Sequence, residues 1–239
     1  MKRAKSQAGF STLEMLVVVA MSVVITAIAV PSFLSTSQFF RIAGDLRAIN
    51  GLTAQAKMRA AADFTHARVY ADLTHGTYQL QVWYKTGGSS GTGCWVSDSD
   101  PGLLNNQNNP TCITWANAPA PSGVGIMQLS QGDTFGYGSQ TSGPGSGQST
   151  ITQGTTTEQC YQEGTGSNAG KPDGGSQMAN TACIEFNSRG IPVDKSFSPV
   201  PTGAFYVTNG KAVDAVTVSG TGSIQTWSIP LGQSTWQAQ

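Results

Sequence analysis

The sequence predicts an α+β protein: one long N-terminal α-helix whose first half is transmembrane, packed in its second half on a mainly antiparallel β-sheet head with long loops. Three observations predict it. A predominantly apolar run fills residues 10–34. Apolar side chains then recur at helical spacing as far as about residue 60. Beyond the helix, two β-rich stretches, 67–84 and 182–229, flank a polar, Gly- and Ser-rich middle that spans about 86–181.

The apolar run reads FSTLEMLVVVAMSVVITAIAVPSFL from Phe10 to Leu34. From Met15 to Val30 only Ser22 and Thr26 interrupt it. At about 1.5 Å per residue it is long enough to cross a hydrocarbon core. Lys2, Arg3 and Lys5 precede it, which predicts a cytoplasmic N-terminus and a head on the far side of the membrane. A secretory signal would carry small residues at a cleavage site after the core; here Pro31, Ser32 and Phe33 follow it. A plain anchor leaves Glu14 unexplained, because a carboxylate costs about 2.5–3.5 kcal/mol at the centre of a span and less near its end.

After Pro31 the helix is expected to continue over 35–64 as an amphipathic segment. Phe39, Ile42, Leu46, Ile49, Thr53, Ala56 and Ala60 fall on one stripe. Arg41, Asp45, Arg47, Lys57 and Arg59 fall largely off it, and the helix is expected to end near Asp63 or Phe64. Strands are expected at Ala67–Ala71 and Thr77–Tyr84, joined by a His75-Gly76 turn. The closing strands are expected at Ala182–Phe186, Gly203–Thr208, Ala212–Val218 and Ser223–Ile229. Asn209-Gly210 marks a hairpin between the second and third of these. Short strands such as Gly125–Leu129 are expected inside the middle region.

Formal charge is near zero, with 13 basic and 13 acidic residues. Removal of residues 1–9 takes away three basic residues and leaves 10 against 13, a net charge of −3. That balance disfavours nucleic acid as a partner. Cys94, Cys112, Cys160 and Cys183 lack CxxC spacing and neighbouring histidines, so disulfides are expected in preference to zinc. Four cysteines allow three pairings; Cys94–Cys112 and Cys160–Cys183 are expected because each closes a local loop in loop-rich sequence. Asp98, Asp100 and Asp173 match no calcium-loop spacing, and no metal or other cofactor is assigned. His66 and His75 stand without a general-base constellation, and no GxSxG, P-loop or HExxH occurs. No catalytic residue is assigned and no enzymatic activity is expected. The five tryptophans, Trp83, Trp95, Trp115, Trp227 and Trp236, are expected to serve packing before any sugar-binding surface.

The segment Gly9-Phe10-Ser11-Thr12-Leu13-Glu14, preceded by a basic leader and followed by the apolar run and Pro31, resembles the processing motif of type IV prepilins and type II secretion pseudopilins. The resemblance implies removal of residues 1–9 by a membrane prepilin peptidase, which cuts between Gly9 and Phe10 and methylates the amine of Phe10. It implies that Glu14, fifth in the mature chain, pairs with the terminal amine of a neighbouring subunit. It also places Pro31 where such helices commonly bend. The physics agrees: Gly9 has no Cβ to obstruct a protease cleft, and a carboxylate in an apolar medium penalises any register that leaves it alone.

The order of the remaining elements is similar to the GspH/FimT family of minor pseudopilins and pilins. Phe186–Pro192 (FNSRGIP) and the pattern from Thr208 to Trp227 resemble its closing strands, whereas the middle insertion carries no family signal. The implied function is a minor subunit that assists filament assembly and protein secretion. The implied partners are other pilin-like subunits, the prepilin peptidase and N-methyltransferase, an inner-membrane assembly platform and membrane lipid. The implied location is the bacterial inner membrane, single-pass, with the head in the periplasm or, in a filament, at the cell surface. The sequence leaves open a secretion pseudopilus or a type IV pilus. The alternative reading is a minor pilin that binds DNA for natural transformation. Some relatives of that branch bind DNA through a Gly-Arg-x-Arg type motif; the corresponding stretch here, Gly222-Ser223-Ile224-Gln225, has neither basic residue to contact phosphate.

Overall fold

The structure, a computed structural model, describes residues 11–86, 92–104, 110–115, 124–145, 148, 150–155 and 158–239. It is α+β, with an N-terminal apolar helix and antiparallel sheets. The chain divides into two compact units, residues 1–40 and 41–239.

The first described element, α1, runs Thr12–Ala62 and contributes to both units. Ser11 opens it: its carbonyl accepts the amides of Glu14 and Met15, and its hydroxyl oxygen lies 3.3 Å from the amide of Leu13. A short polar side chain at this place satisfies donors that the helix itself leaves free. Helical backbone continues through Pro31, whose ring removes one donor from the ladder. Within the first unit the apolar side chains have no protein cover. Leu13, Met15, Leu16, Ile25 and Ile28 are all more than half exposed.

In the second unit α1 presents Ile42, Leu46, Ile49, Leu52, Thr53, Ala56 and Ala60 to the core. Two corrections to the expected stripe follow. Phe39, at its start, is 53% exposed and belongs to the first unit. Asp45, expected off the stripe, is buried, where its carboxylate accepts the amide and hydroxyl of Ser130 at 2.8 and 2.9 Å. The helix closes with Thr65 donating to the carbonyl of Ala60 and with Phe64 in the left-handed region at φ 48°, a conformation usually left to glycine.

The head, expected to be mainly antiparallel β-sheet, holds two antiparallel sheets. The first contains β1 (Ala67–Asp72), β2 (Thr77–Tyr84), β3 (Cys94–Ser97), β4 (Met127–Gln128), β6 (Thr181–Phe186) and β7 (Pro192–Val193), in the order β3-β2-β1-β6-β7 with β4 beside β2. The second contains β5 (Thr134–Phe135), β8 (Thr202–Thr208), β9 (Ala212–Ser219), β10 (Ile224–Pro230) and β11 (Gln237–Ala238), in the order β11-β10-β9-β8-β5. Both turn a face to α1. Val69, Leu80 and Ile184 from the first sheet and Phe205, Val207 and Val216 from the second share one core with the helix.

The alternating pattern of β1 predicts one wet face, yet all six of its residues are buried. Its outer face lies under the segment 158–178, held there by the disulfide Cys160–Cys183. A second disulfide, Cys94–Cys112, ties β3 to the loop that follows it. Both pairs are the local ones. The middle region is therefore a cover layer over the first sheet as well as a set of loops.

Candidate functional site

Three places carry the residues singled out above. The first is the start of α1. Gly9 and Phe10 lie outside the described residues. Glu14 stands in the first turn, solvent-exposed, where a carboxylate also meets the positive end of the helix dipole. The 19 residues Thr12–Val30 form a helix long and apolar enough to cross a membrane, and none of its window is buried. The Ser22 hydroxyl donates to the carbonyl of Val19 at 2.8 Å, and the Thr26 hydroxyl donates to the carbonyl of Ser22. Both polar groups are thus satisfied by the helix itself, as an apolar surrounding requires.

The second place is a buried polar layer on the outer face of the first sheet. Strand register puts Ser97, Gln81, Arg68, Glu185 and Val193 in one row across five strands. Arg68 has no exposed surface. Its Nε donates to Gln81 Oε1 at 2.7 Å, and its Nη1 donates to the carbonyl of Tyr161 at 2.7 Å and to Asp173 Oδ1 at 2.9 Å. Its guanidinium lies 3.9 Å from the Trp95 ring centre and 5.6 Å from that of Trp115. Those two indoles are fixed in turn by the carbonyl of Pro172 and by Glu163 Oε2. Glu185 Oε1 and His66 Nδ1 share a hydrogen bond of 2.7 Å.

Burial dominates the electrostatics here. It lowers the pKa of Arg68 and of His66, and raises that of Glu185. Asp173 is held well above the usual carboxylate range, first by burial and then by the neighbouring Glu185 carboxylate. Two adjacent buried carboxyl groups facing one guanidinium keep a proton between them more readily than two negative charges.

The third place is a cleft beside this layer, which runs from the gap between β6 and β8 to the covering segment beside β6 and β7. It has two lobes of about 530 and 500 Å³. Both are walled by Glu158, Cys183, Glu185, Val193, Asp194 and Val200. Glu158 Oε1 accepts hydrogen bonds from Thr152 and from Gln148 at 3.2 Å. Burial pushes its carboxyl up to about 7, against the pull of those two donors.

The other candidates separate. Asp98 binds Gln55 and Arg59, Asp100 accepts the amides of Gly102 and Thr111, and Asp173 meets Arg68. Among the described residues no group of three or more His, Cys, Asp or Glu side chains is placed to hold a metal ion. The Nδ1 of each histidine meets a carboxylate, Glu185 for His66 and Asp72 for His75. The tryptophans fall into two groups. Trp83 and Trp95 are buried edge to face in the polar layer, with Trp115 against them. Trp227 and Trp236 pack on the second sheet. Gly222 has one basic side chain against it, that of Lys57, whose amine donates to the Gly222 carbonyl at 2.9 Å. Its own Cα leaves no room for a side chain, since a Cβ there would lie 2.5 Å from the carbonyl of Gly190.

Sequence reasoning missed the polar layer. Arg68, Asp173 and Glu185 are far apart in the chain, and each reads alone as a surface charge. The signal available was the charge set into otherwise β-forming strands, Arg68 within ARVYAD and Glu185 within TACIEF. No protein-family model, no curated protein and no solved structure matches this chain.

Proposed function

We propose that the chain is a minor pilin-like subunit of a type II secretion pseudopilus or type IV pilus, processed between Gly9 and Phe10 and held in the inner membrane by the start of α1. The observation that carries the reading is Glu14, one helical turn into an apolar span whose side chains have no protein cover. An uncovered apolar helix needs lipid or other helices around it. A carboxylate at its start needs a cation in the same surroundings. Cleavage after Gly9 would create one, because the new amine of Phe10 comes four residues before Glu14 in the sequence and is free to pair with the Glu14 of a neighbouring subunit. The pairing then sets the stagger between subunits.

On this reading the head works in the periplasm or at the surface of the filament, in assembly and protein secretion, with no catalytic step of its own. Its partners are other pilin-like subunits, the prepilin peptidase and an inner-membrane platform. Two disulfides suit a compartment that oxidises thiols. The test is the intact mass of the protein extracted from membranes. The expected result is loss of residues 1–9 and gain of one methyl group. A mature chain that still begins at Met1, or that begins beyond Pro31, overturns the reading.

A further inference from the structure

Asp45 on α1 and Asp133, just before β5, bring two carboxyl groups together inside the head, each only 7% exposed. Their surroundings differ. Asp45 accepts the amide and the hydroxyl of Ser130, two donors that favour its charged form. Asp133 has no donor at either oxygen, and its hydrogen-bonding neighbour is the Asp45 carboxylate, itself an acceptor. Two buried acceptors do not hold each other unless a proton lies between them. The groups around the pair supply no cation in contact. Arg41, one turn earlier on α1, is exposed and acts on Asp133 without an ion pair among the described residues. Tyr78 on β2 is buried and feels the Asp45 charge. Asp214 on β9 shares the inward face of Val216 and Val218 and brings a third carboxyl group, whose Oδ2 also lacks a donor.

We propose that Asp133 and Asp45 form a proton-operated latch: the protonated Asp133 carboxyl donates to the Asp45 carboxylate and fastens the turn Ser130–Asp133 to α1, and loss of that proton releases the turn. The hydrogen bonds assign the roles, since Ser130 already serves Asp45 and nothing else serves Asp133. The turn closes on itself through the Asp133 amide and the Ser130 carbonyl. It joins β4 in the first sheet to β5 in the second, so the latch ties both sheets to the helix at one point. Burial, then the hydrogen bond and the charge of Asp45, push the Asp133 carboxyl up to about 6. A raised carboxyl pKa stabilises the protonated fold, so the latch is complete below pH 3.8 and is lost as pH rises through about 6. Above that, two buried carboxylates face each other with Asp214 behind them, and they repel. The latch belongs to the head alone and does not rest on the function proposed above, so the two fail separately.

The experiment is amide hydrogen exchange of the full chain in detergent micelles, read by mass spectrometry on peptides that cover 130–135, at pH 5 and pH 8, with rates corrected for the intrinsic effect of pH. Protection of the wild-type turn is expected to fall by about tenfold or more between the two. Asp133→Asn carries a donor at every pH, so its protection should change by less than about threefold. Asp45→Asn puts the donor on the other partner and serves where the first substitution disturbs folding. Constant protection of the wild type overturns the proposal without any variant, and an equal fall in wild type and both variants overturns it as well. Millimolar calcium chloride at pH 8 should leave the wild type unchanged. Recovery of protection on its addition would make the pair a metal site and overturn the proton as its occupant.

Discussion

Arg68 and Glu185 stand directly opposite each other on adjacent strands, yet the guanidinium spends its bond on Asp173 in the covering segment and leaves Glu185 to His66. The charge on β1 therefore acts across layers. It clamps the cover to the sheet through Asp173 and the Tyr161 carbonyl. A fully buried guanidinium is tolerable only because two acceptors, a glutamine and an indole face surround it.

Arg68→Ala should cost about 3–5 kcal/mol in urea unfolding, because removal of one partner strands the others. The loss should fall at the lower end of that range near neutral pH. Burial and Glu185 already hold the Asp173 pKa well above the usual carboxylate range against the pull of Arg68, so loss of the cation raises it further and eases uptake of a proton. A loss below about 1 kcal/mol would show that the layer is not the clamp described here.

The Cys160–Cys183 bond fastens the cover to β6 over a separation of 23 residues. Replacing both cysteines with alanine should lower stability by about 3 kcal/mol, the loop-entropy value for that length. Limited proteolysis should then cut within 161–178 before any site in β8–β10.

Glu158 makes the head more stable in mild acid. Its folded pKa, about 7, lies above the usual 4.5, so the folded state binds the proton more tightly than the unfolded chain. The contribution is complete below pH 4.5 and is lost as pH rises through about 7, up to about 3 kcal/mol. His66 acts in the opposite sense below pH 6.5, because burial lowers its pKa. Comparison of wild type with Glu158→Gln isolates the first effect. Unfolding free energy of the wild type should fall by about 2–3 kcal/mol more than that of the variant between pH 4.5 and 8. Parallel curves would refute the assignment.

Phe64 is 76% exposed and sits in left-handed backbone at the end of α1. Phe64→Gly removes the Cβ strain, about 1–2 kcal/mol, and adds unfolded-chain entropy of about half that. The melting temperature should stay level or rise slightly. A fall of several degrees would mean that the ring makes contacts that its exposure does not suggest.

Glu14→Ala should leave membrane insertion intact, since it removes only a costly charge from the span. Incorporation into sheared filaments should fall by about tenfold or more, the scale of one lost charge pair in an apolar medium. Equal recovery of variant and wild type from filaments would remove the proposed role of Glu14.

What the sequence determined by itself was whatever depends on neighbours along the chain. Helical spacing from Ile42 to Ala60, the alternation at Thr77–Tyr84 and the Asn209-Gly210 turn all rest on local periodicity or local backbone freedom. The two disulfides were legible for a similar reason, because each closes a short loop. Tertiary structure alone decided the rest. It split the strands into two sheets, buried Asp45 against Ser130, and assembled Arg68, Asp173 and Glu185 from three distant segments. A charged residue reads as a surface residue until something covers it, and the segment that covers β1 begins some ninety residues away, in sequence whose Gly- and Ser-rich composition gives no periodic signal of its own.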